Sequence, residues 1–187
     1  MLLYEITENL ITMWHGGRNL QSSYREVYGN KSKQMEYGPG LYLTNFYSTA
    51  SKYAKGGGKT YLVKFKPGVE IRKVILDISN VMQFLKSHRF TNKTKIIEHI
   101  NKKYTETIPA QYFLNLMINY DCITPSTSTI VRQFFIDHGI DYQVSKGYGG
   151  FNDQVIVVIF NPAVIKSVVD IPASKVTDEM HILNVSL

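Results

Sequence analysis

The chain has 187 residues, 44% of them hydrophobic and 19% charged, with 21 Lys+Arg against 15 Asp+Glu and a formal charge of +6. That length supports a single hydrophobic core without help from metals or disulfides, and the composition is that of a folded domain, not of a disordered segment. Lone Cys122 excludes an internal disulfide framework and a cysteine-rich zinc site. No apolar run approaches the ~18 residues a membrane span needs. The start, MLLYEITENL, carries Glu5 and Glu8 where a signal peptide has basic residues. The expectation is one soluble, cytoplasmic domain over residues 1–187, with no membrane partner.

Leu10–Trp14 is a short apolar run ending at His15-Gly16-Gly17, a buried strand running into a loop. Gly38-Pro39-Gly40 is turn punctuation before a strand at Leu41–Thr44. Thr49–Lys55 reads as a short helix stopped by Gly56-Gly57-Gly58. Thr60–Lys66 alternates like a half-exposed strand, and Lys73–Ile78 is another short strand. From Ser79 to Gly139 the chain reads as mainly helical. Ile96, Ile97, Ile100 and Tyr104 form one helical stripe, and Tyr112, Phe113, Leu116 and Met117 form another. Ser126 or Ser128 is placed to cap a last helix that closes at Gly139. Lys146–Phe151 reads as a loop whose Gly147–Gly150 has no GxGxxG or P-loop pattern. Val155–Phe160 is the most apolar strand, stopped by Asn161-Pro162. Strands at both ends with helices clustered between them predict an α+β domain over alternating βαβ units. His88, His99, His138 and His181 lack metal-ligand spacing and are expected on surfaces.

The charge is localised. Residues 1–51 are net neutral, residues 52–103 hold thirteen basic and three acidic side chains, and residues 104–187 hold four basic and eight acidic ones. The middle segment is therefore +10 and the last −4. Such a segment is either a solvated lysine-rich face or a surface that attracts a polyanion.

Three pieces carry chemistry: Trp14-His15-Gly16-Gly17-Arg18; Gly38-Pro39-Gly40-Leu41-Tyr42-Leu43-Thr44 followed by Ala50-Ser51-Lys52-Tyr53-Ala54; and Asp153-Gln154 before the strand that ends in Asn161-Pro162. As an ordered set they resemble the ADP-ribosyltransferases of the PARP and diphtheria-toxin-like clade, named for a His-Tyr-Glu triad. In that family a first strand ends in His-Gly, and a later Gly-x-Gly-[Leu/Ile]-Tyr strand is followed eleven residues on by a second tyrosine, the separation of Tyr42 and Tyr53. The resemblance spans about Leu10 to Val168. It implies split, packed β-sheets with flanking helices, an NAD cleft between them, and NAD as a consumed substrate without a metal. By that resemblance His15, Tyr42 and a third polar residue are the catalytic set, and His15, Gly16, Arg18, Tyr42, Ser51 and Tyr53 hold NAD.

These residue types suit the chemistry independently. Two tyrosines can sandwich the flat cationic nicotinamide, with a cation–π contribution of ~0.5–2 kcal/mol. Gly16 lets its backbone approach the carboxamide. His15 can hydrogen-bond a ribose hydroxyl, and Arg18 can meet the pyrophosphate or stack on adenine. Breaking the C1′–nicotinamide bond develops oxocarbenium character, so a polar group on the ribose 2′-OH that grips harder as charge develops lowers the barrier.

The sequence departs from the family at the third position, where the usual glutamate is replaced by Ile156. Gln154, two residues earlier, shares its strand face; Asp153 is the alternative. A neutral glutamine holds a hydroxyl but is no base, which favours transfer of a single ADP-ribose and leaves open NAD binding without turnover. Ala50 stands where the family often has a serine, with Ser51 adjacent. The expected activity is mono-ADP-ribosylation of RNA or DNA, with Tyr24, Tyr28, Tyr37 and Phe46 as base-stacking candidates. Compact members of the family suggest a toxin restrained by an antitoxin, or an antiviral defence effector. The alternatives are a protein-modifying transferase and a silent module that binds NAD or nucleic acid.

Overall fold

The mixed α+β architecture is observed in a computed structural model, in which residues 9–17, 20, 37–146 and 153–185 are described. Among them run β1 (Ile11–Gly17), β2 (Leu41–Thr44), α1 (Tyr47–Tyr53), β3 (Lys59–Phe65), β4 (Ile75–Asp77), α2 (Ile78–Ser87) and α3 (Lys93–Lys103). They are followed by β5 (Thr107–Pro109), α4 (Ala110–Asn119), α5 (Ser128–Asp137), β6 (Tyr142–Lys146), β7 (Val155–Ile159) and β8 (Ile165–Asp170). Six strands form one antiparallel sheet in the order β6-β7-β2-β1-β3-β8, and β4 pairs with β5 separately.

Strand alternation gives this sheet two apolar faces. Ile11, Met13, Leu41, Leu43, Tyr61, Val63, Phe65, Tyr142, Val157 and Ile159 share one core cluster. Val158 and Phe160 join a second core built from the helices, including Val81, Leu85, Ile96, Ile100, Phe113, Met117 and Phe135. Each large apolar side chain so buried contributes on the order of 1.5–3 kcal/mol. The first cluster draws on both ends of the strand order. Phe65 on β3 and Tyr142 on β6 lie four strand steps apart, ~19 Å in a flat sheet, yet their ring centroids are 6.2 Å apart. The sheet therefore doubles over, and the halves β6-β7-β2 and β1-β3-β8 pack face to face. Where two separate sheets were expected, a single residue pair, Trp14↔Thr44, joins the halves.

Several local expectations are corrected. The first helix begins at Tyr47, before the predicted Thr49. The chain expected to be mainly helical contains β5, whose Ile108 alone is buried and leaves no alternation to read. The strands β6 and β8 were not anticipated; both are sheet edges, and β8 has no fully buried residue. Thr127, and neither Ser126 nor Ser128, precedes α5. Its hydroxyl donates to the Cys122 carbonyl at 2.7 Å and accepts from the Thr124 N–H at 2.8 Å, locking the preceding turn.

The packing of α1 on β1 is the tightest constraint near the seam. A Cβ on Gly16 would run into the backbone carbonyl of Ala50, which is itself buried. Backbone cannot rotate away as a side chain can, so Gly16→Ala is expected to destabilise by about 3 kcal/mol. Thermal unfolding should then show a Tm lowered by roughly 6–12 °C for a domain of this size; an unchanged Tm would contradict the contact.

Candidate functional site

β1 pairs with β3 over seven residues but meets β2 at one position. Beyond Trp14↔Thr44 the two strands part, and the His15 side chain bridges the fork. Its Nδ1 lies 2.9 Å from the Tyr42 carbonyl oxygen. A carbonyl only accepts, so Nδ1 carries the hydrogen and Nε2 of the neutral ring is left as an acceptor. Nε2 is buried and has no hydrogen-bond partner among the described residues. Burial pushes the His15 pKa below its ordinary value, opposed in part by the hydrogen bond to Tyr42. The group is thus a neutral, oriented acceptor with its valence unspent. A Cβ on Gly17 would stand 2.7 Å from Nε2, so any side chain there would crowd that nitrogen.

On the opposite face of β1, Gly16 presses against α1. The helix ends at Tyr53, a residue 72% exposed. The Ser51 hydroxyl donates to the Ser48 carbonyl of its own helix at 3.0 Å.

Gln154 is buried immediately before β7. Its Nε2 donates to Thr49 Oγ1 on α1 at 2.7 Å and reaches Thr44 Oγ1 on β2 at 3.4 Å. Thr44 is opposite Ile156 in the ladder, so Gln154 does share the Ile156 face. Asn45 fixes this segment by behaving like a short piece of strand. Its Nδ2 donates to the Asp153 carbonyl at 3.0 Å and its Oδ1 accepts from the Val155 N–H at 2.8 Å. The Asp153 side chain itself is exposed.

Tyr42 is turned differently from the sandwich expectation. Its hydroxyl donates to the Gly38 carbonyl at 2.7 Å and accepts from the Tyr37 N–H at 3.2 Å, and its half-buried ring packs on the helical core. Where the strands pair, alternation sets His15 on one face and Tyr42 and Gln154 on the other. The three therefore converge only across the fork, with His15 touching Tyr42 through its backbone. Phe46 is buried at the start of α1 and is unavailable for base stacking, while Tyr37 is half-buried against Tyr42. Arg18, Tyr24, Tyr28 and Gly147–Gly150 lie outside the described residues.

Sequence reasoning gave Gly17 no separate role and missed Asn45, Thr49 and a distal brace. Trp14 Nε1 donates to the Met180 carbonyl at 2.8 Å, Tyr47 N–H to the His181 carbonyl at 3.0 Å, and Leu183 N–H to the Asn45 carbonyl at 2.9 Å. The partners of Asn45 and Thr49 are too remote in sequence to be read; an asparagine ending a strand is the one local signal. Among the described residues no group of three or more His, Cys, Asp or Glu is placed to hold a metal, and no helix is long and apolar enough to cross a membrane. No model of a known protein family, no curated protein and no solved structure matches the chain.

The neutral state of His15 has a pH consequence. Its folded pKa is depressed, so the unfolded chain, with its pKa near ~6.5, binds the proton more readily. His15 therefore costs stability as pH falls through the unfolded value. His15→Asn, which keeps a donor near Nδ1, should lose less Tm than wild type between pH 7 and 5. Parallel Tm–pH curves would contradict a buried neutral His15.

Proposed function

We propose that this chain is an NAD-dependent mono-ADP-ribosyltransferase that releases nicotinamide and modifies nucleic acid, in the manner of the compact toxins and antiviral defence effectors its motifs resemble. The observation that carries the reading is the buried, unpartnered Nε2 of His15 at the β1–β2 fork. An oriented neutral acceptor there suits a ribose hydroxyl. Gly16, beyond the one ladder pair, suits the nicotinamide carboxamide, and exposed Tyr53 suits its ring. Support also comes from the doubled sheet, whose halves meet at that fork as the family's split sheets would.

In this reading NAD is the substrate, and bond cleavage sends the electron pair of the C1′–N bond to nicotinamide, which leaves neutral. His15 Nε2 accepts a hydrogen bond from a ribose hydroxyl and holds the sugar. Gln154, steadied by Thr49, presents its amide oxygen to the 2′-OH and strengthens that bond as C1′ becomes electron-poor. The acceptor nucleophile attacks C1′ and loses its proton to solvent, since glutamine takes none. The Tyr42 ring, not its hydroxyl, walls the cleft. A second reading, NAD binding without turnover, is favoured by the same neutral Gln154, whose Nε2 is already committed to Thr49.

Gln154→Glu separates the two. Threonine hydroxyls accept or donate, so Thr49 can turn to serve a carboxylate and the fold should persist. Nicotinamide release from labelled NAD is expected to rise about tenfold, ~1.4 kcal/mol of transition-state stabilisation. In Gln154→Leu and His15→Ala it should fall to background. Label transferred in cell lysate should vanish with nuclease and survive protease. Label lost to protease moves the acceptor to protein, and NAD binding without nicotinamide release in wild type and Gln154→Glu alike establishes the silent module.

A further inference from the structure

The strongest unexplained feature lies on the helical side. Lys86, Arg89, Lys95, Lys102 and Lys103 carry no ion pair among the described residues, unlike Lys59 with Asp170 and Arg72 with Glu70. Ile96 and Ile100 bury one side of α3. The other side borders a shallow hollow lined by Lys95, Glu98, His99, Asn101, Lys102 and Tyr120, which shares no residue with the β1–β2 fork. The hollow has an ordered aromatic floor. His99 Nε2 lies 2.8 Å from the Tyr112 hydroxyl and Nδ1 3.5 Å from the Tyr120 hydroxyl, with the His99 and Tyr120 ring centroids 6.4 Å apart. A merely solvated lysine face does not need a hollow with half-buried rings held between its lysines.

We propose that this hollow docks single-stranded RNA, as the surface that presents the acceptor; the proposal rests on the nucleic-acid reading of the transferase. Lys95 and Lys102 stand two helical turns apart, ~10.5 Å along the axis, and neutralise successive parts of the backbone. Tyr120 and His99 offer ring faces to a base, a contact worth ~1–3 kcal/mol per base and available only where bases are unpaired. Glu98, between the two lysines, repels phosphate but accepts a hydrogen bond from a ribose 2′-OH, which DNA lacks. The hollow also has a structural line to the fork. Beside Tyr112 on α4, Gln111 donates to Gln143 Oε1 at 3.2 Å; Gln143 donates to the Tyr37 carbonyl; and the Tyr37 N–H donates to the Tyr42 hydroxyl. A short run of hydrogen bonds therefore links the helix behind the hollow to the turn that holds Tyr42.

The test is fluorescence anisotropy of a labelled ~12-nucleotide RNA and its DNA counterpart, within the usual site size of such surfaces, with the whole chain and without NAD. Wild type should bind RNA more tightly than DNA. Lys95→Glu with Lys102→Glu should lose at least tenfold in affinity and flatten the salt slope by ~1.4, two phosphate contacts at ~0.7 each. Tyr120→Leu should weaken binding several-fold with the slope unchanged, its folding checked by circular dichroism. The same loss in Lys166→Glu with Lys175→Glu, exposed positions away from α3, would reduce the effect to net charge and overturn the proposal. Unchanged affinity in the α3 variant, or equal affinity for DNA, would overturn it too. RNA binding through these lysines in a protein that binds no NAD would instead overturn the transferase and leave the docking surface standing. NAD turnover without RNA binding would do the reverse.

Discussion

The contact between Gly16 and the Ala50 carbonyl is the constraint from which the rest of the site follows. It presses α1 onto β1 without an intervening side chain. With the helix fixed there, Thr49 reaches Gln154, Tyr53 stands at the exposed helix end, and Phe46 is buried at the entrance. On the neighbouring strand position β1 and β2 give up their ladder, and an imidazole replaces backbone as the cross-strand link. A peptide group in that place would have satisfied itself on both sides. Histidine satisfies one side and leaves the other without a partner among the described residues.

Legibility varied with the range of the interaction. The His15, Tyr42 and Tyr53 spacing was visible because each sits on a short local element bounded by glycines. That Gln154 shares the Ile156 face followed from alternation alone, whereas its burial did not. What holds Gln154 did not, because Thr49 is 105 residues away and Asn45 contacts Val155 across 110. The orientation of the Tyr42 hydroxyl was equally hidden, since nothing in Gly-Pro-Gly says that its first carbonyl will accept it. Phe46 looked like a surface aromatic between motifs until the β2–α1 corner buried it. Edge strands β6 and β8 escaped for another reason: with one neighbour each they carry weaker apolar alternation than β7.

The uneven charge acquires a location. Most of the middle segment's unpaired cations lie on α2, α3 and the turn between them, packed through the helical core on the face of the sheet that also receives the Tyr42 ring. The inner face, where the two half-sheets meet, has a different character: an apolar core ending at one neutral histidine. The lysine-rich helices and the apolar core that ends at His15 thus lie on opposite faces of one sheet, with β2 common to both.

The brace on Trp14 has a consequence for assembly. Its hydrogen-bond partner, Met180, is 166 residues further along the chain, and Tyr47 and Asn45 likewise bond to His181 and Leu183. Chain entropy must be spent on closing a loop of 166 residues before Trp14 acquires this support. During synthesis, β1 emerges early and waits. Residues 180–183 can join the fork only after they have left the ribosome, so a partly made chain carries the motif without this brace.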